Sequence, residues 1–273
     1  GVFLVAINFS FLPVPIVWLL AVGGAAVFGA AWAFIPAYLQ ATRGSHVVIT
    51  TIMFNFIAAS LMVFLLVDVI RDTTQMGPHT VALPEEQWFP SFEDFAALFG
   101  IKIRYSPLNI SFLLAIAASF FVWFLVWKTR WGYEMRAVGH NTQAAIYAGI
   151  SPYKNIIIAM CISGGLAGLL AVNEILGVHH KIVAGFPAGY GFTGIAVALM
   201  GRNHPIGIFP AAFLFGILYQ GGSEVTFDMP NITRYMFVAV QGVIILFSGA
   251  LENLFRPQIE NFFVNRLNLK AKA

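Results

Sequence analysis

Apolar residues run along this chain in blocks of helix length, separated by short polar stretches. The blocks are Gly1–Leu12, Pro15–Ala41, Val47–Ile70, Asn109–Trp127, Asn155–Leu176, Tyr190–Gly201, Pro205–Gly221 and Arg234–Leu251. A membrane span needs about 20 apolar residues, fewer where helices are broken or buried among neighbours. The pattern therefore predicts an all-α polytopic transmembrane helical bundle. Tyr190–Gly201 is too short to cross alone and reads as a short or discontinuous helix. Val2–Phe11 has the look of a span already under way and lacks the features of a signal peptide. The expectation is that the natural chain begins earlier, with an N-terminal helix or helices before Gly1.

Composition agrees with this reading. Of the 273 residues, 59% are hydrophobic and 10% charged, with a mean hydropathy of +0.81. An average soluble domain is about 25% charged, and so few charges cannot cover a water-facing surface. The single cysteine, Cys161, lies in an apolar run and reads as a small buried hydrophobe, which excludes a disulfide framework. A formal charge of +3 is too small to argue for nucleic acid.

The connectors set the orientation. Segment 128–154 carries Lys128, Arg130, Arg136 and Lys154 against one acid, Glu134. Segment 71–108 carries Asp72, Glu85, Glu86, Glu93 and Asp94 against three basic residues. Excess Lys and Arg mark the cytoplasmic side, so 128–154 is expected inside and 71–108 outside. Alternation then puts Arg43, Arg202 and the basic C-terminal residues inside, with Glu224 and Asp228 outside. Trp88, Phe89, Phe92 and Phe95 in the outer loop read as an interfacial anchor or part of a docking surface. The expected organisation is a transmembrane domain over 1–251 and an amphipathic cytoplasmic tail over 252–273, where Phe255, Ile259, Phe262 and Phe263 recur at helical spacing.

Within the basic connector, Asn141 is a suitable N-cap because its side-chain oxygen can accept from a backbone N–H. Thr142–Ala148 then forms a helix of about two turns, ended by Gly149 in the left-handed conformation. Ala144, Ala145 and Ala148 would leave a low surface that a partner's groove could approach closely. So short a helix is marginal alone in water and needs packing support. An ordinary interfacial turn is the competing reading.

Polar groups inside spans are costly and usually face the bundle interior or a wet cavity. Thr51 and Asn55 lie four apart with Phe54 beside them, and they read as either pathway groups or interhelical polar glue. Glu174 is a candidate cavity acid, or a carboxylate at the headgroup boundary. The glycine-punctuated stretch Gly189–Thr193, with Phe192 and Thr193, is a second candidate pathway element. Ser163–Gly168 reads as a small-residue packing face containing GxxxG. His179 and His180 read as exposed loop residues, since no further metal ligands stand at suitable spacing.

Three ordered blocks carry a family resemblance. They are Gly132-Tyr-Glu-Met-Arg136-Ala137-Val-Gly139-His-Asn141 with Ala144-Ala145 and Gly149-Ile150 after it; Val48–Ala58; and Gly191–Arg202 followed by Pro205-Ile-Gly207. Together they resemble the permease subunits of ABC importers, in the group carrying ribose, other simple sugars and nucleosides, related to branched-chain amino-acid permeases. The look is closest to the nucleoside and simple-sugar branch. One departure is Gly44-Ser45-His46-Val47, where Asn-Glu-Val is expected.

The resemblance implies a pathway for a nucleoside or simple sugar, formed with a second permease subunit that is the same or different. It also implies cytosolic ABC ATPase subunits, an extracytoplasmic substrate-binding protein and a bacterial inner-membrane location. Arg136, Gly139, Asn141, Ala144, Ala145, Gly149 and Ile150 match the segment that couples to the ATPase. No phosphate-binding G-x-x-x-x-G-K-[ST] motif occurs in the chain. No cofactor is therefore expected here, with ATP and Mg²⁺ on the partner ATPase. The alternatives are an ion-coupled secondary transporter, an importer of the same type carrying branched-chain amino acids, and an intramembrane enzyme. The ion-coupled secondary transporter wants intramembrane acids, yet only Asp68 and Glu174 fall in spans. The enzyme wants a motif such as H-E-x-x-H or G-x-S-x-G, and neither occurs.

Overall fold

The computed structural model describes residues 1–9, 11–71, 77–92, 108–186, 189–228, 236–237, 239–244 and 246–247. The expected tail over 252–273, most of the last apolar block, and Glu93, Asp94 and Phe95 lie outside the described residues. Among those described, the regular elements are all helices: α1 (Val2–Asn8), α2 (Val14–Arg43), α3 (Val47–Phe64), α4 (Ser111–Lys128), α5 (Arg130–His140), α6 (Thr142–Tyr147), α7 (Pro152–Val172), α8 (Tyr190–Met200) and α9 (Pro205–Asp228). Five helical segments are long and apolar enough to cross a membrane: Val14–Arg43, Val47–Val69, Ser111–Lys128, Pro152–Val178 and Pro205–Val225. The chain is a multi-pass membrane protein. It divides into two compact units, Gly1–Phe186 and Pro187–Ala273.

The first unit is built on the pairing of α2 with α7. Both helices are apolar nearly all round, so amphipathicity does not choose the contact; small residues do. A Cβ added to Gly29 would collide with the Gly164 carbonyl oxygen, and one added to Gly168 with that of Ala25. A Cβ at Gly164 would strike the Ala33 methyl and the Gly29 carbonyl. In lipid, helices gain little from mutual burial of apolar surface, and close backbone approach supplies the van der Waals contact instead. The Ser163–Gly168 face thus packs as its sequence predicts.

At one end of this pair, residues 77–92 fold back as a cap. Thr80 makes two hydrogen bonds with Ile182, one through its backbone and one through its side chain: its N–H donates to the Ile182 carbonyl at 3.1 Å, and its Oγ1 accepts from the Ile182 N–H at 3.0 Å. The Leu83 N–H donates to the His180 carbonyl at 2.8 Å, and the Phe89 N–H to that of Leu176 at 2.9 Å. Leu83 and Phe89 join Val2, Phe3, Ala21, Val172 and Leu176 in one buried cluster. The Phe89 ring meets Trp18 edge-on at 5.3 Å, and Trp18 Nε1 donates to the Gln87 carbonyl at 2.8 Å.

Two sequence readings change here. Phe89 is core rather than an interfacial anchor, and Trp88 stacks on the imidazole of His180 at 3.8 Å. His180 is accordingly not a free loop residue. Backbone pairing between distant segments, invisible to local pattern, brought these side chains inward.

α3 and α7 each end in a π-helical turn, Leu65–Val69 and Asn173–Val178. Such turns carry one extra residue per hydrogen-bonded ring and often mark functional positions.

Two outcomes follow. Gly164→Leu should abolish folded protein, with the monodisperse peak lost in fluorescence-detected size-exclusion chromatography, whereas Gly139→Ala, which meets open space, should leave that peak unchanged. Burial also holds the His180 pKa below the usual imidazole range. As pH falls through about 6.5, the unfolded chain takes up this proton before the folded one does. Thermal stability should therefore be full above that range and decline below it, and His180→Phe should flatten the profile.

Candidate functional site

The basic connector becomes a compact helical elbow at the end of the bundle opposite the cap. α4 ends at Lys128, and Thr129 caps α5: its Oγ1 accepts from the Gly132 N–H at 3.2 Å. Gly132 is buried in the corner, where any Cβ would collide with the carbonyls of Leu125 and Val126. Glu134 then ties the elbow together. It pairs with Arg130 at 3.1 Å and accepts from the Asn155 amide of α7 at 3.5 Å. Asn155 is itself buried.

α6 follows directly. Asn141 Oδ1 accepts from the Ala144 N–H at 3.0 Å, which makes it the N-cap. At the other end, Gly149 has φ +78°. The Ile150 N–H donates to the Ala145 carbonyl and the Gly149 N–H to the Ile146 carbonyl, both at 2.9 Å. These two bonds and the left-handed glycine form a Schellman closure. A six-residue helix is thus stabilised at both ends by local chemistry and by contact with α5 and α7.

The exposed surface of α6 differs from the one its sequence suggests. Ala145 is only 3% exposed and faces inward. A small methyl fits that buried position beside α5 and α7. Ala144 and Ala148 are exposed as expected, together with Thr142, Gln143, Ile146 and Tyr147, the last 92% exposed. Arg136 and Gly139 are exposed on neighbouring α5, along with Trp131 and Tyr133. Sequence reasoning missed Ile146 and Tyr147 because six residues are too few to show which side of a helix is buried.

Within the first unit the candidate pathway residues do not form one cluster. On α3, the Thr51 hydroxyl donates to the Val47 carbonyl of its own helix at 2.9 Å. Phe54 turns toward α2 and meets Trp32 edge-on at 6.0 Å. Asn55 is exposed and has no protein partner among the described residues. Its amide stands near the middle of a 23-residue apolar segment. An unpaired amide facing hydrocarbon is costly, so this face meets water or another polar surface.

Glu174 belongs to a separate network at the capped end. It is 6% exposed and accepts from Asn173 Nδ2 at 3.1 Å, while His179 Nε2 stands 3.5 Å from its other oxygen. The Ser111 hydroxyl and the Asn109 amide both donate to Asn173 Oδ1, which fastens the start of α4 to the end of α7. Among the described residues no group of three or more His, Cys, Asp or Glu could hold a metal.

Phe192 and Thr193 lie in the second unit, on the first turn of α8. Gly189, with φ +82°, precedes that helix. Phe192 is exposed and Thr193 half-buried. An apolar groove of about 550 Å³ opens between α2, α4 and α7, lined by residues such as Ala26, Ala30, Ala117, Phe121 and Leu166. Its lining suits hydrocarbon better than a hydrophilic solute.

A many-span helical bundle with an ordered polar elbow at one end and isolated polar groups within its spans is the architecture of a transport component. Comparison with known proteins agrees. Residues 2–249 match the family model described as branched-chain amino acid transport system / permease component, and the chain belongs to that family. It is 36% identical over 226 residues to the guanosine ABC transporter permease protein NupP of Bacillus subtilis, covering 82% of this chain and 62% of that protein. It is 31% identical over 266 residues to a glucose ABC transporter permease protein of Haloferax volcanii, covering 97% and 69% respectively. The nucleoside ABC transporter permease protein NupB of Lactococcus lactis is 36% identical over 226 residues, covering 78% and 59%. The chain therefore spans about three fifths of the length of the two nucleoside relatives. No solved structure matches.

The inward direction of Ala145 is directly testable. Ala145→Leu should overpack the elbow and cost about 1–3 kcal/mol, read as a lower melting temperature. Ala144→Leu, on the exposed side, should leave the melting temperature unchanged. Asn141→Ala should cost about 1 kcal/mol through loss of the cap.

Proposed function

We propose that this chain is the membrane-spanning subunit of an ATP-driven importer and that its substrate is a nucleoside. The observation that carries the reading is the α6 elbow. A short helix closed at both ends presents Ile146 and Tyr147 away from the bundle, beside exposed Arg136. The basic connector puts this surface on the cytoplasmic side, where ATPase subunits carry ATP and Mg²⁺ and push on it. α6 leads into α7 through only four residues, Ala148 to Ser151, so a displacement of α6 is passed to a spanning helix. The capped end then faces outward, toward an extracytoplasmic binding protein. A second permease subunit completes the pathway in the cytoplasmic membrane.

The names of the relatives support this. Two of the three relatives described above act on nucleosides by their descriptions, at 36% identity, against 31% for the glucose permease. Asn55, exposed at mid-span, is the pathway group of α3, where its amide exchanges hydrogen bonds with a polar solute or with pathway water. Thr51 shapes the same helix through its backbone bond, and Phe54 holds α3 against α2. Glu174 organises the outer end instead of lining the passage. Phe192 and Thr193 form the pathway element of the second unit.

The test is uptake of labelled guanosine and glucose into inverted and right-side-out vesicles containing the full-length protein with its partner subunits. Guanosine uptake should require ATP and survive collapse of proton and sodium gradients. Dependence on a gradient without ATP would sink the importer reading, and ATP-driven uptake of glucose alone would move the substrate to sugars. Tyr147→Ala should reduce the maximal rate at least tenfold at unchanged membrane abundance, since exposed aromatic anchors typically carry about 2 kcal/mol or more at interfaces. Asn55→Leu should also impair uptake without lowering abundance.

A further inference from the structure

The second unit holds a group of side chains that the sequence motifs do not single out. α8 and α9 form a hairpin of unequal arms, with 11 and 24 residues. At about 1.5 Å per residue, α8 covers roughly the first 16 Å of α9. Over that stretch α9 is apolar, and its Ala211 and Phe215 are buried with Ala196 and Val197 of α8. Where α8 stops, the character of α9 changes. Tyr219, Gln220, Ser223 and Glu224 follow within two turns, and their spacing places them on one side of the helix.

Tyr190, the first residue of α8, meets Tyr219 at this level. Their rings lie 6.1 Å apart at 61°, and both residues are half-buried. Gln220 Nε2 donates to Glu224 Oε1 at 3.3 Å, and both side chains are exposed. Beside them Gly222 is overlaid by Phe237, close enough that a Cβ would stand 2.5 Å from the ring. Gln220 lies about 22 Å along α9, still within a hydrocarbon core of about 30 Å. Glu224 stands at the outer end of the apolar segment Pro205–Val225, and an exposed amide inside that segment, joined to its carboxylate, faces water or a polar ligand. Such groups in a transporter's spans mark the route of its solute.

We propose that Tyr190, Tyr219, Gln220 and Glu224 form a contact site for a nucleoside. The aromatic pair offers ring faces to a planar base. The Glu224 carboxylate accepts from ribose hydroxyls, and the Gln220 amide both donates and accepts. This inference rests on the importer reading above and assigns its substrate class to particular residues.

The experiment is equilibrium binding of tritiated guanosine to the purified full-length protein in nanodiscs with its partner permease, without the binding protein. Saturable binding is expected, displaced by inosine but not by ribose. Tyr219→Leu and Gln220→Leu should each weaken it about tenfold, as expected for losing one base-stacking or hydrogen-bonding partner. Tyr219→Phe, which keeps the ring, should bind within about threefold of the unmodified protein, the size of a marginal contact. Tyr147→Ala should leave binding unchanged. ATP-driven guanosine uptake without saturable binding would overturn the site and leave the importer standing, as would binding indifferent to both leucine variants. Saturable binding lost in those variants, together with uptake that ignores ATP, would keep the site and remove the importer.

Discussion

Backbone-to-backbone contact between α2 and α7 organises the first unit. Gly29, Gly164 and Gly168 leave no room for a single added methyl group, so the two helices meet with carbonyl oxygens against Cα atoms. Lipid gives neither helix a reason to bury apolar surface, and only a surface this smooth lets dispersion accumulate over many atoms. The other elements take their places from this pair. α1 and the 77–92 cap pack over one end of it, and the α5–α6 elbow is tied to the opposite end through Asn155 and Glu134. α3 and α4 bury few side chains of their own. They are the helices with surface left for other partners.

Polar chemistry in this protein is concentrated where the seam ends. At the capped end, Asn109, Ser111, Asn173, Glu174 and His179 satisfy one another and fasten α4 to α7. At the elbow, caps and a Schellman closure satisfy backbone groups that a six-residue helix would otherwise leave to water. Between the ends the spans are almost bare of such groups. That contrast is why Asn55 on α3 and Gln220 on α9 stand out: each places an amide at a depth where the bilayer offers nothing to bond it.

The spans were readable because bilayer thickness imposes a minimum apolar length, which survives in a single sequence. The α6 helix was readable for a different reason. Asn141 and Gly149 each have a conformational preference strong enough to mark an end by themselves. What escaped was whatever depended on distant segments. Phe89 and Trp88 are drawn inward by pairing between 77–92 and 176–183, roughly 90 residues apart in the chain. Ala145 faces inward because α5 and α7 happen to close over that side. Tyr190 and Tyr219 come together through hairpin geometry, with no local motif to announce it.

The left-handed residue at Gly149 has a mechanical meaning beyond its role as a helix stop. Any side chain there would be strained at φ +78°, and the two hydrogen bonds of the closure remove the remaining torsional slack. α6 and α7 are thereby joined by a short connection whose first half is locked. A force applied to Ile146 and Tyr147 would reach the glycine seam through α7, and two surfaces interlocked this closely would move as one body instead of sliding.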